Sequence, residues 1–497
     1  MKSNYLSKGI IATVAFSFFA FNSCTDLQVE EIDSVVIESS GGASAGDPAQ
    51  LIEAAYNDLS VFTDQANLYS LFQHPSDEMI PPTRGVDWGD NGVWRTLHAH
   101  SWDPTHEQVL NAWNALNQRI FKTAEILASN PNAEQAAQAN FLQGFYIWHV
   151  LDLYGQVPFR EFDEGVDVLP RVLSRSEALN RAIERVEGAI SNLPSVGPGE
   201  NIRGSKAAAY AILTRMYLNK AVYTAADPAG PYQHDPADLD KVIQYADLLT
   251  AEGYEFDDDY FSIWEVGTDK EPILVSNQGS GQNRWMMTLH YSQNPSGWNG
   301  FTTISDFYDQ WDQNDPRFGR DATPDGTAFS GIGVGMLQGQ QFDDNGNIII
   351  DTRTQMPLQF TEEVKLAGAP TAQGIRVIKY HPARASKYII LRYAEAQLNK
   401  AEAQLRKGDS AGALATINAM RTARGGATLG SIDEAAMLAE RSFETYWEGL
   451  RRIDQVRFGT FTDSWTEKTS SDPTRVLFPI PQQALDSNPN LQQNPGY

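Results

Sequence analysis

The clearest sign of the fold lies in LRYAEAQLNKAEAQLRKGDSAGALATINAMRTARG, residues 391–425. Its alanine-rich first half predicts a helix that ends at Gly408 and Asp409, and a second helix begins almost at once with Ala413 and Ile417. A short turn after an alanine-rich helix is typical of tetratricopeptide units, which pack such helices as antiparallel pairs. The sequence therefore predicts a mainly α, tetratricopeptide-like helical-repeat scaffold, with repeats too degenerate to keep a clean register.

Other helices are indicated by capping signals and apolar periodicity. In DPAQLIEAAYNDLSVF, Asp47 is a candidate N-cap, Pro48 suits the first helical position, and Gln50 could complete a capping box. The S-x-x-E pattern occurs at Ser174 and again at Ser431. Further helices are predicted over residues 105–129, 133–154, 174–192, 205–223 and 236–250.

Between residues 271 and 385 the composition changes to glycine, asparagine, proline and aromatic residues, with β-like runs such as PILVSN and IRVIKYH. FDDNGNIIID predicts a hairpin with its turn at Asn345-Gly346. Asp343, Asn345 and Asn347 resemble a calcium loop, but Ile348 stands where that loop requires glycine. The pattern therefore favours a simple turn, and no metal or cofactor is expected.

The N-terminus carries an export signal. Residues 1–23 combine two lysines with an apolar run too short for a membrane span. Cys24, the only cysteine, follows at the expected cleavage site, which predicts a bacterial lipoprotein whose mature chain begins at lipidated Cys24; the alternative is a chance cysteine in a removed signal. Multiple acyl chains on Cys24 would anchor the protein to a membrane.

Six segments follow from these patterns. They are the signal peptide at 1–23, a flexible acidic tether at 24–46, an N-terminal helical part at 47–270, a loop-rich, partly β ligand-binding insertion at 271–385, C-terminal tetratricopeptide-like helices at 386–462, and a tail packed on the scaffold at 463–497. The net charge of −25 argues against nucleic acid and, more weakly, against polyanionic glycans.

Several C-terminal motifs resemble the SusD/RagB family of Bacteroidetes. They are YIILRYAEAQLNKAEA, then Ile417, Asn418 and Arg421, then ERSFETYWEGLRRIDQVRFG and the ending LFPIPQQALDSNPNLQQNPGY, with NDPRF at residues 314–318 as a further element. The resemblance implies a SusD-like scaffold bearing ligand loops, on an outer-membrane lipoprotein that faces the cell exterior. It also implies a glycan or other nutrient as ligand, a TonB-dependent SusC-like transporter as partner, and binding without catalysis.

Two clusters of polar residues are candidates for catalysis or metal binding. Glu440, Glu444 and Glu448 recur at helical spacing, and a catalytic interpretation would make two of them the acid and base of a glycosidase. Arg441, Arg451 and Arg452 lie within a turn of them, so structural ion pairing is favoured. His98, His100 and His106 could bind a metal, but no matching carboxylate or thiol set accompanies them, which favours packing or exposure.

Tryptophans in two loops are the candidate ligand contacts. TRGVDWGDNGVWR (residues 83–95) interleaves Trp88 and Trp94 with polar side chains, and NPSGWNGF (residues 294–301) does the same around Trp298. Indole planes can pack on the C–H faces of sugar rings, while planar polar groups bind the hydroxyl edges. The predicted ligand-binding residues are Trp88, Trp298, Asp87, Arg84, Asn91 and Asn299. Trp94 and Trp102 are interpreted as pins that hold loops on the scaffold.

The combined prediction is a non-catalytic surface lipoprotein that captures a neutral oligosaccharide or polysaccharide for a SusC-like transporter. The acidic charge favours a neutral glycan, with a β-glucan such as laminarin first and fructan second. A secreted glycoside hydrolase and a tetratricopeptide-like adaptor for protein segments remain the alternatives.

Overall fold

The computed structural model describes residues 46–161, 163–164, 168–199, 201–280 and 282–497. The predicted signal peptide, Cys24 and the tether up to residue 45 lie outside this part. Helices dominate, as predicted: α1 Pro48–Asn57, α2 Leu68–Gln73, α3 Val93–His98, α4 Glu107–Ala128, α5 Ala133–Tyr154, α6 Arg175–Ala189, α7 Lys206–Leu218, α8 Lys220–Thr224, α9 Pro236–Ala251, α10 Gln282–Met286, α11 Ser305–Tyr308, α12 Tyr393–Arg406, α13 Ser410–Ala423, α14 Glu434–Thr445, α15 Arg451–Phe458 and α16 Gln482–Ser487. Within the described residues, no helix is both long and apolar enough to cross a membrane.

The predicted helix pair is confirmed as α12 and α13, which pack on each other. The turn between them depends on Gly408, whose φ of +84° suits glycine, and on Asp409, whose carboxylate accepts a hydrogen bond from the Gly412 amide at 2.9 Å. A small core fills the space between α12, α13 and α14: Ala394, Leu398, Ala401, Ala413, Ile417, Met420, Ile432 and Met437. Because α12 also packs on α7 and α9, this pair is joined to the N-terminal helices.

The capping predictions have mixed outcomes. Ser174 and Glu177 form the predicted capping box. The Ser431 prediction is wrong, because α14 begins at Glu434 and is capped by Asp433. Asp47 does cap α1, but its carboxylate accepts from the Ala49 amide, so the box with Gln50 is also wrong.

The helix predicted over residues 205–223 is interrupted. It divides into α7 and α8 at Asn219, whose side-chain amide donates to the Arg215 carbonyl at 2.8 Å.

The middle of the chain forms small antiparallel sheets. Their strands are β1 Val157–Phe159, β2 Arg171–Leu173, β3 Pro272–Ser280, β4 Gly319–Arg320, β5 Val334–Leu337, β6 Gly339–Gln340, β7 Gln359–Phe360, β8 Arg376–Ile378 and β9 Lys387–Arg392. The pairings are β1 with β2, β3 with β9, β4–β5–β8, and β6 with β7. Since β3 and β9 lie near the two ends of the proposed insertion, their pairing closes its base. We retain the six-segment division as a proposal.

The predicted turn at Asn345-Gly346 is present. The Asp343 amide donates to the Asn347 carbonyl at 2.8 Å, and Gly346 has φ +80°. The Asp343 carboxylate accepts from the amides of Asn345 and Asn347 at 2.9 and 2.8 Å. The side chain that resembled a calcium ligand is therefore used to hold its own turn.

Glu440, Glu444 and Glu448 are ion-paired, as predicted, but their partners are distant in sequence. Glu440 pairs with Arg317 and Arg421, Glu444 with Arg317, Arg392 and Arg424, and Glu448 with Lys379 and Arg392. We call these eight residues the ion-pair cluster. Glu448 lies beyond the end of α14, and the cluster joins residues from the insertion and from α13 to that helix.

The predicted local partners are wrong. Arg441 pairs with Asp454 at 2.8 Å, Arg451 with Asp77 at 2.6 Å, and Arg452 with Asp152 at 2.8 Å. Each of these arginines is at most 5% exposed, so each needs a carboxylate inside the fold. Neighbouring arginines and glutamates in this part of the chain therefore point to different buried partners.

Candidate functional site

The two tryptophan loops meet in space. The indole Nε1 of Trp88 donates to the Trp298 carbonyl at 3.0 Å, and the two ring centroids are 6.2 Å apart at an interplanar angle of 44°. A short bridge between Ile80 and Thr302, with N–O distances of 2.8 and 3.1 Å, aligns the segments that flank the loops. Residues about 210 positions apart are thereby brought into one surface feature.

Close packing holds Trp88 in place. Its backbone adopts φ +60°, and its ring lies 4.7 Å from the Phe301 ring and 6.0 Å from the Trp94 ring. Gly300 makes this approach possible, because a Cβ there would lie 2.5 Å from two Trp88 ring atoms. The loop around Trp298 is therefore shaped to receive the Trp88 ring.

Exposure distinguishes the tryptophans. Trp298 is 39% exposed and Trp88 is half-buried, whereas Trp94 and Trp102 are 5% and 2% exposed. Trp94 donates to the Asp90 carboxylate at 2.6 Å, and Trp102 to the Tyr497 hydroxyl at 2.6 Å. Because both are buried and hydrogen-bonded, Trp94 and Trp102 hold their loops on the scaffold, as predicted. We call Trp88 and Trp298 the tryptophan platform.

Asp87 sits at the edge of the platform. Its carboxylate accepts hydrogen bonds from the Tyr291 hydroxyl and from Arg353 Nη1, both at 2.6 Å, and the Arg353 guanidinium lies 3.9 Å from the Tyr291 ring centroid. Partial burial acts to raise the pKa of Asp87, but the bonds from Tyr291 and Arg353 outweigh it and hold the pKa below its ordinary value. Asp87 is therefore a fixed carboxylate beside the exposed indole.

Sequence reasoning missed Tyr291 and Arg353. Tyr291 precedes NPSGWNGF by three residues, so an aromatic residue in the same proline- and glycine-containing loop was an available signal. Arg353 comes from beyond the hairpin at residues 342–350, and no spacing in the sequence connects it with Asp87.

Arg84 and Asn299 lie beneath the platform. Arg84 is 1% exposed and donates to the carbonyls of Asn299 at 2.9 Å, Gln373 at 2.7 Å and Pro370. Burial lowers its pKa to about 10, so it stays charged at neutral pH. The fully buried Asn299 side chain bonds the Thr371 carbonyl and Arg376. The sequence predicts ligand contact for Arg84 and Asn299, whereas their burial assigns them to the support of the loops.

Asn91 is exposed on the same loop as Trp88 and adopts φ +53°. Its side chain has no hydrogen-bond partner among the described residues. It therefore stays a predicted ligand contact, together with Trp88, Trp298 and Asp87.

The clustered histidines are buried and engaged. His98 bonds the Met79 carbonyl at 3.1 Å, His100 bonds the Pro75 carbonyl at 2.8 Å, and His106 accepts from the Gln108 amide at the start of α4. All three are packed inside the fold, in line with the favoured interpretation. In the part of the chain that the structure describes, no group of three or more His, Cys, Asp or Glu side chains is arranged to hold a metal ion.

Comparison with known proteins points to one family. The model of the SusD family matches residues 267–497. The starch-binding protein SusD of Bacteroides thetaiotaomicron is 23% identical, over 85% of this chain and 84% of the relative. A SusD-like protein of Bacteroides fragilis has a similar structure, with a TM-score of 0.71 and 18% identity over 94% of this chain and 100% of that one. A laminarin binding SusD-like protein has a TM-score of 0.66 and 20% identity, over 90% and 99% of the two chains.

Proposed function

We propose that this chain, whose residues 267–497 match the model of the SusD family, is a surface lipoprotein that captures a neutral glycan and delivers it to a SusC-like transporter. The observation that carries the proposal is the tryptophan platform, with Asp87 fixed at its edge. A partly exposed indole beside a held carboxylate offers a stacking surface for the C–H face of a sugar ring and a hydrogen-bond acceptor for its hydroxyl groups.

A neutral ligand is favoured by charge. The chain carries a net charge of −25, and the Asp87 carboxylate lies at the edge of the platform. A uronate or sulfated glycan would be repelled by both. We place a β-glucan such as laminarin first and fructan second. Two relatives are named as starch-binding and laminarin binding proteins, which is in keeping with a neutral glucan.

Calorimetry against laminarin, levan and a uronate polymer tests the proposed ligand class. We expect binding to a neutral polymer and none to the uronate. Incubation with a labelled oligosaccharide tests the glycosidase alternative, and we expect the label to be recovered in uncleaved sugar. Affinity for peptides with no affinity for any glycan would instead support the adaptor alternative.

The proposed partner is a TonB-dependent SusC-like transporter of the outer membrane. Affinity purification from detergent-solubilised membranes should recover a transporter barrel with this chain. Recovery of the chain alone, from cells that express both proteins, would contradict the partnership while leaving glycan binding intact.

The proposed anchor is lipidated Cys24, in an outer membrane and facing the cell exterior. Cys24→Ala should move the protein into the soluble fraction with an unchanged melting temperature. Retention of the variant on the membrane after a salt wash would contradict lipidation.

A further inference from the structure

An open groove lies apart from the tryptophan platform and shares none of its residues. It has a volume of about 590 Å³, within the usual range of ligand sites. It is lined by Asp259 and Glu265, which flank the helical turn Tyr260–Trp264, by residues of the stretch 320–334 and by residues of the segment 381–384. Its lining is mainly polar, and its charged or titratable members are Asp259, Glu265, Arg320, Asp321, Asp325, His381 and Arg384. We call it the arginine groove.

Two guanidinium groups on the groove walls are held by carboxylates. Arg320 Nη1 and Nη2 each lie 3.1 Å from an oxygen of Asp259, and Arg384 Nε lies 2.8 Å from Glu265 Oε1. Arg320 and Arg384 remain 52% and 53% exposed. The Nη groups of Arg384 have no partner among the described residues. Both walls therefore present oriented N–H donors to whatever occupies the groove.

The groove also presents acceptors. Asp321 is exposed, and its carboxylate has no partner within the described part of the chain. His381 bonds the Ile332 carbonyl through Nε2 at 3.1 Å and accepts from the Ala383 amide through Nδ1 at 3.2 Å. Burial lowers the pKa of His381, so it adds no positive charge at neutral pH. The carboxylates of Asp259, Glu265, Asp321 and Asp325 thus outnumber the two arginines.

One side chain connects the groove loop with the platform loop. The Asp344 carboxylate accepts from the Gly331 amide at 3.0 Å and from the Asn294 side chain at 2.6 Å. Gly331 belongs to the loop that borders the groove, and Asn294 lies four residues before Trp298. The two surface features therefore share a structural support.

We propose that the arginine groove is a second sugar subsite, which takes units of a neutral glycan chain beyond those held on the tryptophan platform. This inference rests on the proposed function. Hydroxyl groups can both accept from Arg320 and Arg384 and donate to Asp321, so a polyol satisfies both kinds of group in the groove. The platform holds one part of the chain by stacking, and the groove holds another by hydrogen bonds.

Other ligand classes fit the groove less well. An acidic polymer would meet an excess of carboxylates. A divalent cation would need a cluster of ligating side chains, and no such cluster occurs in the described part of the chain. An apolar ligand would leave the exposed guanidinium groups without solvent or partner.

The test compares a long and a short glycan on the same variants. Arg320→Ala and Arg384→Ala are measured by calorimetry with the neutral polymer that the wild-type protein binds, laminarin or levan, and with a trisaccharide of the same linkage. Each variant should bind the polymer roughly tenfold more weakly, as expected for lost hydrogen bonds to charged groups, and should bind the trisaccharide as wild type does. Arg203→Ala is the matched control, since Arg203 is 48% exposed and pairs with Glu53 elsewhere on the surface.

The outcomes separate the groove from the platform. Unchanged polymer affinity in both groove variants, with wild-type binding intact, overturns the groove subsite alone. Equal losses for polymer and trisaccharide also overturn it, because the groove would not then be a separate subsite. Failure of the wild-type protein to bind laminarin, levan or any other neutral polymer overturns the proposed function and the groove with it. Because exposed ion pairs add little stability, the variants should fold normally, and thermal melts check this.

Discussion

The ion-pair cluster and the tryptophan platform reverse the usual distribution of polar and apolar groups. In the cluster, Glu444 is fully buried among the guanidinium groups of Arg317, Arg392 and Arg424. In the platform, Trp298 places a large apolar ring at the surface. Charges usually lie outside and indoles inside, so each region carries a cost that another interaction must offset.

The difference lies in where the offsetting partner is found. Every carboxylate of the ion-pair cluster meets a cation of the same chain, so the cluster is complete within the fold. Trp298 contacts Trp88 but keeps 39% of its surface exposed, so under the proposed function the partner that covers it comes from outside the chain. Buried charges here therefore serve the scaffold, whereas the exposed ring of Trp298 is available for binding.

The largest effect is expected from Glu444→Gln. It leaves three buried guanidinium groups short of a charge, which should lower the free energy of unfolding by about 3–5 kcal/mol. Glycan affinity should stay nearly unchanged, because the cluster is proposed to hold the scaffold only. Glu434→Gln, at an exposed position of the same helix, is the matched control for denaturant unfolding. Normal stability combined with lost processing of a glycan would favour the enzyme alternative instead.

Acid should weaken the same cluster. Burial acts to raise the pKa of Glu444, but Arg424, Arg392 and Arg317 outweigh it and hold the pKa well below its ordinary value. The stabilisation is therefore present above the unfolded pKa of about 4.3 and is lost as pH falls towards the folded value. Melting temperatures measured from pH 7 down to pH 3 should fall less steeply in Glu444→Gln than in wild type. Parallel curves would show that Glu444 is not the residue responsible.

Trp298→Ala and Trp88→Ala test the tryptophan platform. Each should weaken glycan binding roughly tenfold to a hundredfold, by analogy with the roughly 1–3 kcal/mol that stacking on an aromatic side chain contributes to nucleic-acid binding. The half-buried Trp88 also packs on Phe301, so its variant should lose some stability, whereas Trp298→Ala should melt almost as wild type does. Phe121→Ala removes another exposed ring, 44% exposed on α4, and should leave affinity unchanged. Unchanged affinity in both tryptophan variants would disprove the platform.

Gly300→Ala tests whether the geometry of the platform matters. The added methyl group would lie 2.5 Å from the Trp88 ring and must displace it. We expect affinity to fall roughly threefold to tenfold while both tryptophans are retained. Gly188→Ala in α6 adds a methyl group where no atom lies within 4 Å, so it should leave affinity unchanged and slightly raise stability. Equal affinity in Gly300→Ala and wild type would mean that the position of the Trp88 ring is unimportant.

The smallest effect is expected from Arg353→Ala. Arg353 is 48% exposed, so loss of its ion pair with Asp87 should cost less than about 1 kcal/mol of stability. The pKa of Asp87 should rise, because one of the two bonds that lower it is removed. Carboxyl titration by NMR measures that rise directly, with Arg203→Ala as the control. An unchanged Asp87 pKa would show that Tyr291 alone holds the carboxylate.

The helical scaffold could be predicted from the sequence because its signals are local. The turn at Gly408 and Asp409 and the capping box at Ser174 each depend on residues a few positions apart. The prediction at Ser431 failed for a local reason too, since Asp433 is a competing N-cap two residues closer to the helix.

The partners of buried charges and the supports of the platform could not be predicted in the same way. Arg317 reaches Glu440 across 123 residues, and Arg353 reaches Asp87 across 266. Only the folded chain determines which arginine meets which carboxylate. Composition did identify the tryptophan loops, but it could not separate the exposed Trp298 from the buried Arg84 and Asn299 beside it.

The bond between Trp102 and Tyr497 has a consequence for how the chain folds. The indole of Trp102 donates to the Tyr497 hydroxyl across 395 residues, and that hydroxyl donates in turn to the Leu477 carbonyl at 2.6 Å. Contacts of such long range require closure of a very large loop and are expected late in folding. During synthesis, the hydrogen bond of the Trp102 indole therefore stays unmade until Tyr497 has emerged. An early part of the nascent chain thus depends on a segment that is made long after it.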